Sequence, residues 1–105
     1  MDYCVKPYLN ETDGCWEVEI VGEIDIFNSS EFKDTLMDLV RNKEADFRIN
    51  CKNLDYIDST ALGVLVAVLK NVKNYGGEIR ITEAKPNIAK LFKITNLDKV
   101  FILEG

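Results

Sequence analysis

Histidine is absent from this chain of 105 residues. Without an imidazole, neither a Ser-His-Asp relay nor a Cys-His pair can be assembled within one chain, and a typical zinc site loses its nitrogen ligand. Cysteine is scarce and odd in number: Cys4, Cys15 and Cys51, with no CxxC spacing. That pattern argues against a metal knuckle or a disulfide framework and predicts buried free thiols in a reducing cytoplasm. Long apolar runs are lacking as well. The longest, Ala61 to Leu69, counts nine residues, against roughly 20 for a membrane-spanning helix. The opening "MDYCVKPYLN" has no basic stretch leading into an apolar one, so no secretory signal is expected. Basic clusters are missing from a chain of net charge −5 and pI near 4.7, which disfavours direct binding to nucleic acid or to an anionic membrane surface. No Gly-rich loop ends in a lysine, so nucleotide hydrolysis through Asp25, Asp58 and Thr60 is disfavoured too. The chain is read as a cytoplasmic binding protein with no catalytic residue, metal or cofactor.

What is present is one domain, spanning 1–105, with enough apolar residues (47%) for one core. "YCVKPYL" (3–9) alternates weakly and carries Pro7, which places it at a sheet edge because proline has no amide to donate. "NETDG" (10–14) reads as a hairpin turn into "CWEVEIV" (15–21), where Trp16, Val18 and Ile20 alternate with Glu17 and Glu19. "NSSE" resembles a capping box with Asn28 as cap and Glu31 at the third helical position; Phe32, Leu36, Leu39 and Val40 then form one apolar stripe. "DFRINCK" (46–52) and "EIRIT" (78–82) alternate as strands. A second helix is expected from Ser59 to Tyr75, stopped by Gly76-Gly77. A third fits Pro86 at its first position, with Ile88, Leu91 and Phe92 inward. "KVFIL" (99–103) is a last strand.

The order β-β-α-β-α-β-α-β makes the helix-linked strands parallel. Because at least three strands keep a polar face, the helices should cover one side of the sheet only, giving a two-layer α/β domain. Parallel strands send their strand-to-helix loops to one edge. The loops "GEIDIFN" (22–28), "NLDYID" (53–58) and "EAK" (83–85) therefore converge, and Asp25, Asp58 and Ser59 should share that edge.

In "YIDSTALGVLVAVLK" (56–70), the triplet Asp58-Ser59-Thr60 runs straight into an apolar helix. By spacing alone this is helix capping, with Asp58 as the cap and the Ser59 hydroxyl near the surface of a helix whose body is held by the core. Such a terminus also tolerates an anion, since its first amides are unpaired and carry the positive end of the helix dipole.

The stretches "GEIDIFNSSEF", "LDYIDSTALGVLVAVLK", "NYGGEIRIT" and "KPNIAKLFKITNLDKVF" together resemble the stand-alone anti-sigma factor antagonists of the STAS family (sulfate transporter and anti-sigma factor antagonist). The resemblance covers nearly the whole chain. It implies a mixed sheet with its first strand antiparallel and helices mainly on one face. It also implies partner switching: the unphosphorylated protein binds an anti-sigma factor that is a Ser/Thr kinase, a sigma factor is released, phosphorylation ends the binding, and a Ser/Thr phosphatase resets the system. Carried over by motif, the acceptor is Ser59, and Asp25, Asn28, Asp58, Thr60, Ala61 and Leu62 make up the docking surface around it. Ala61 stands where the motif has its first glycine, so a methyl is expected where a partner's backbone would approach. A second reading within the same resemblance is an accessory subunit of a lipid-transport or stressosome-type complex with no sigma-factor role.

Overall fold

A computed structural model describes residues 2–104; Met1 and Gly105, included in the expected domain, lie outside the described residues. Alternation decides the strands. In β2 (Cys15–Ile24), Trp16, Val18 and Ile20 are buried while Glu17 and Glu19 are half-buried on the other face. The same holds for Phe47 and Ile49 in β3 (Asp46–Asn50) and for Ile79 and Ile81 in β5 (Ile79–Thr82). β1 (Tyr3–Asn10) pairs antiparallel with β2 alone, and Pro7 sits exposed on that edge strand. With β6 (Ile102–Glu104) as the last strand, the sheet order is β1-β2-β3-β5-β6, with every pairing after the first parallel. On the face without helices, Arg48 pairs with Glu17 and Arg80 with Glu104. The two-layer mixed sheet is as expected.

Three helices cover the opposite face. α1 (Ser29–Asn42) buries Phe32, Leu36, Leu39 and Val40, the stripe read from the sequence. α2 (Ser59–Asn74) buries Leu62, Val64, Leu65, Val68, Leu69 and Val72. Six such side chains represent on the order of 10 kcal/mol of gross burial, so the start of α2 is anchored by its own body. Gly76 at φ +82 ends this helix in a Schellman motif: its amide donates to Lys73 O (3.0 Å) and that of Gly77 to Val72 O (2.9 Å). α3 (Pro86–Ile94) begins on Pro86 and buries Ile88 and Phe92; Phe92 meets Phe101 edge-on at 5.3 Å.

Four local expectations are corrected. The stretch read as a loop at 53–58 contains β4 (Leu54–Ile57), which pairs in parallel with the end of β2 after a register shift at Gly22/Glu23. Its ends are buried and its middle exposed, so it carries no alternation to read. The last strand is shorter than expected: Leu97–Lys99 is a 3-10 turn and β6 spans Ile102–Glu104. Leu91 is half-buried rather than buried. Cys15 and Cys51 are buried as expected, but Cys4 is exposed, because it alternates onto the wet face of an edge strand. Among the described residues no helix is long and apolar enough to cross a membrane.

Candidate functional site

The loop that leaves β2 is held by its own polar side chains. Asp25 Oδ1 accepts from the amides of Phe27 (2.9 Å) and Asn28 (3.3 Å), and Asp25 O accepts from Ser29 N–H (2.8 Å). Asn28 precedes α1 but does not cap it through its side chain. Its Oδ1 accepts from the Asp25 amide (2.9 Å) and its Nδ2 donates to Glu23 O (3.0 Å), closing the loop. Glu31 is likewise drawn away from the expected capping box, since it accepts a hydrogen bond from the Tyr3 hydroxyl across to β1. Partial burial, and then the Glu31 carboxylate, push the Tyr3 phenol up to about 12.

Asp58 joins this loop to α2. Its Oδ1 accepts from Ala61 N–H (2.9 Å), the capping bond read from the sequence. Its Oδ2 accepts from Ile26 N–H, also at 2.9 Å, and its own amide donates to Ile24 O at 3.2 Å. One carboxylate therefore satisfies a free amide of the helix and a free amide of a loop 32 positions away. Asp25, Asp58 and Ser59 share the carboxyl edge, as the loop argument requires. The third loop closes on the same side: Lys85 pairs with Asp55, and Asn87 Nδ2 donates to Asp55 O (3.2 Å).

At this edge Ser59 and Thr60 are exposed, the first two residues of α2. Asp25, Asn28 and Asp58 are half-buried and spend their polar atoms on backbone amides and carbonyls. Ala61 is 0% exposed and Leu62 is buried, so neither presents a side chain to a visitor. The methyl expected to confront a partner instead packs in the core, which also explains why alanine is accommodated there. The sequence reading passed over three residues. Phe27 is 93% exposed, Ile26 62%, and Tyr56, on the strand that feeds Asp58, is also exposed. An apolar pair in a loop belongs to no periodic pattern; the signal available was "IF" between two loop-forming side chains, Asp25 and Asn28.

A second cluster lies toward the amino ends of the strands. Ligand atoms of Asp13, Cys15 and Glu17 fall within 4.8 Å of one another. Arg48 already supplies the positive charge there, paired with Glu17 and 3.7 Å from Asp13. Burial, with Glu17 beside it, raises the Cys15 thiol above its ordinary range, which disfavours the thiolate a metal would need.

The family model of the STAS domain matches residues 6–104. The chain belongs to the STAS domain family. This STAS domain is 37% identical over 100 residues to the anti-sigma-B factor antagonist of Bacillus subtilis (strain 168), covering 95% of this chain and 89% of that protein. It is 33% identical over 94 residues to the protein of the same name from Staphylococcus aureus (strain NCTC 8325), covering 89% and 87%. Among solved structures, the Thermotoga maritima protein TM1081 superposes with a TM-score of 0.84 over 94% of this chain and 84% of that one, at 22% identity. The phosphorylated form of SpoIIAA from Bacillus gives 0.73 over 97% and 92%, at 14% identity. At such identities the two structures speak for the shared fold alone.

Proposed function

We propose that this STAS domain is an anti-sigma factor antagonist whose binding is switched by phosphorylation of Ser59. Unphosphorylated, it binds an anti-sigma factor that is also a Ser/Thr kinase, and a sigma factor is released. The Ser59 hydroxyl oxygen then attacks the γ-phosphorus of ATP held by that kinase; its proton passes to a base of the kinase and ADP leaves. The modified edge no longer binds until a phosphatase hydrolyses the ester.

The observation that carries this reading is the exposed Ser59 at the first position of α2, a helix fixed by its buried body, directly after the capping Asp58. Phosphate there adds about −1.5 to −2 charges at pH 7 beside a carboxylate that is already committed. The fold tolerates the group, since the first helical amides and the dipole favour an anion. A docked partner does not, because like-charge contacts at an interface cost several kcal/mol. At roughly 1.4 kcal/mol per tenfold, a hundredfold loss of affinity needs no refolding. The names of the relatives, anti-sigma-B factor antagonists, support the same partner class.

The test is incubation with the kinase-type anti-sigma factor of the same genome and ATP, followed by peptide mapping. Phosphate is expected on Ser59, with Ser59→Ala remaining bound and Ser59→Glu binding at least a hundredfold more weakly. Phosphate on another residue, or wild-type affinity in Ser59→Glu, overturns the switch.

A further inference from the structure

We propose that Phe27, with Ile26 beside it, is the apolar anchor that seats this chain in a pocket of the anti-sigma factor; the proposal rests on the functional reading above. Phe27 is 93% exposed and Ile26 62%. A phenyl ring left in water forgoes the stabilisation that burial would give it, which a partner's pocket can supply. The loop that carries it is nonetheless ordered. The Phe27 amide donates to Asp25 Oδ1, Asn28 spans from Asp25 to Glu23, and Ile26 N–H is held by Asp58. An aromatic side chain projecting from a tied loop loses little conformational freedom when it enters a partner, and such buried aromatics dominate protein interfaces.

The occupant is argued from continuity and charge. The 2.9 Å bond from Ile26 N–H to Asp58 Oδ2 makes the Phe27 loop and the start of α2 one body, so a partner that senses the charge on Ser59 meets Phe27 in the same docking event. Two carboxylates, Asp25 and Asp58, flank the pair, on a chain of net charge −5. The complementary surface is an apolar cleft the width of a phenyl ring, rimmed by basic or amide donors. Tyr8 is 65% exposed but lies on the wet face of β1, away from this edge, and so supplies an exposed aromatic control outside the docking surface.

The experiment titrates unphosphorylated chain, without ATP, into the purified anti-sigma factor that the wild type binds in the test above. Phe27→Ala is expected to weaken binding tenfold to a hundredfold, Phe27→Leu to restore most of it, and Tyr8→Ala to leave it unchanged. All three should keep the wild-type melting temperature. A photo-crosslinking side chain at position 27 is expected to capture the anti-sigma factor, which a merely structural role would not produce. If Phe27→Ala binds within twofold of wild type while Ser59→Glu does not bind, the anchor is wrong and the switch stands. Equal losses in Tyr8→Ala and Phe27→Ala, or no crosslink from position 27, also overturn it. A wild-type chain that binds no anti-sigma factor removes the functional reading and the anchor together.

Discussion

Asp58→Ala deletes two hydrogen bonds made by one side chain, and the structure allows each to be weighed. Loss of an N-cap costs about 1 kcal/mol, here the bond to the Ala61 amide. The bond from Ile26 N–H is charge-assisted but exposed, so solvent brings it down to the value of an ordinary hydrogen bond, again about 1 kcal/mol. The sum, about 2 kcal/mol, corresponds to a fall in Tm of about 9 °C at an unfolding entropy of roughly 2.1 cal/mol/K per residue over 105 residues. Asp58→Ser separates the two contributions. A serine still caps the helix but has one short oxygen, so it should cost about half as much. Urea denaturation gives the free energies, with the m-value unchanged. Amide hydrogen exchange gives the assignment: the Ile26 amide should exchange faster in both variants, the Ala61 amide only in Asp58→Ala. An Ile26 amide that exchanges at the wild-type rate in Asp58→Ser refutes the bridge and reduces Asp58 to a cap.

Two glycines should respond to alanine unequally. Gly76, at φ +82 with open space where a Cβ would go, should lose about 1 kcal/mol from backbone strain alone. Gly22, at φ +98, would place a Cβ 2.3 Å from Asp2 O, so strain and displacement of β1 add to about 3 kcal/mol; equal urea midpoints for the two variants would contradict this. Of the three thiols, only the exposed Cys4 should react rapidly with a disulfide reagent in the native protein, and a second fast thiol would show that Cys15 or Cys51 is not sealed. Burial pushes the Cys51 thiol from 9.0 up to about 12. Its contribution to stability is therefore intact below pH 9 and is lost as pH climbs toward 12; Cys51→Ala should make that fall shallower, while the raised Tyr3 phenol keeps part of it.

Residue order alone determined whatever is decided within a few positions. The alternation of Trp16, Val18 and Ile20, the Phe32–Leu36–Leu39–Val40 stripe, the Asp58 cap, Pro86 at a helix start and the glycine stop after α2 all appear where the pattern places them. The convergence of Asp25, Asp58 and Ser59 also followed, because parallel strands leave no other edge for their loops. Tertiary structure decided the rest. Leu54–Ile57 is a strand only because the end of β2 offers it a partner. Asn28 and Glu31 match a capping box in spelling, but Glu23 O, the Asp25 amide and the Tyr3 hydroxyl claim their side chains first. Asp58 meets Ile26 across 32 residues, and Phe27 stands in solvent because the tied loop turns it away from the core. Local rules rank what a side chain can do, while distant groups, brought near only by folding, choose among those options.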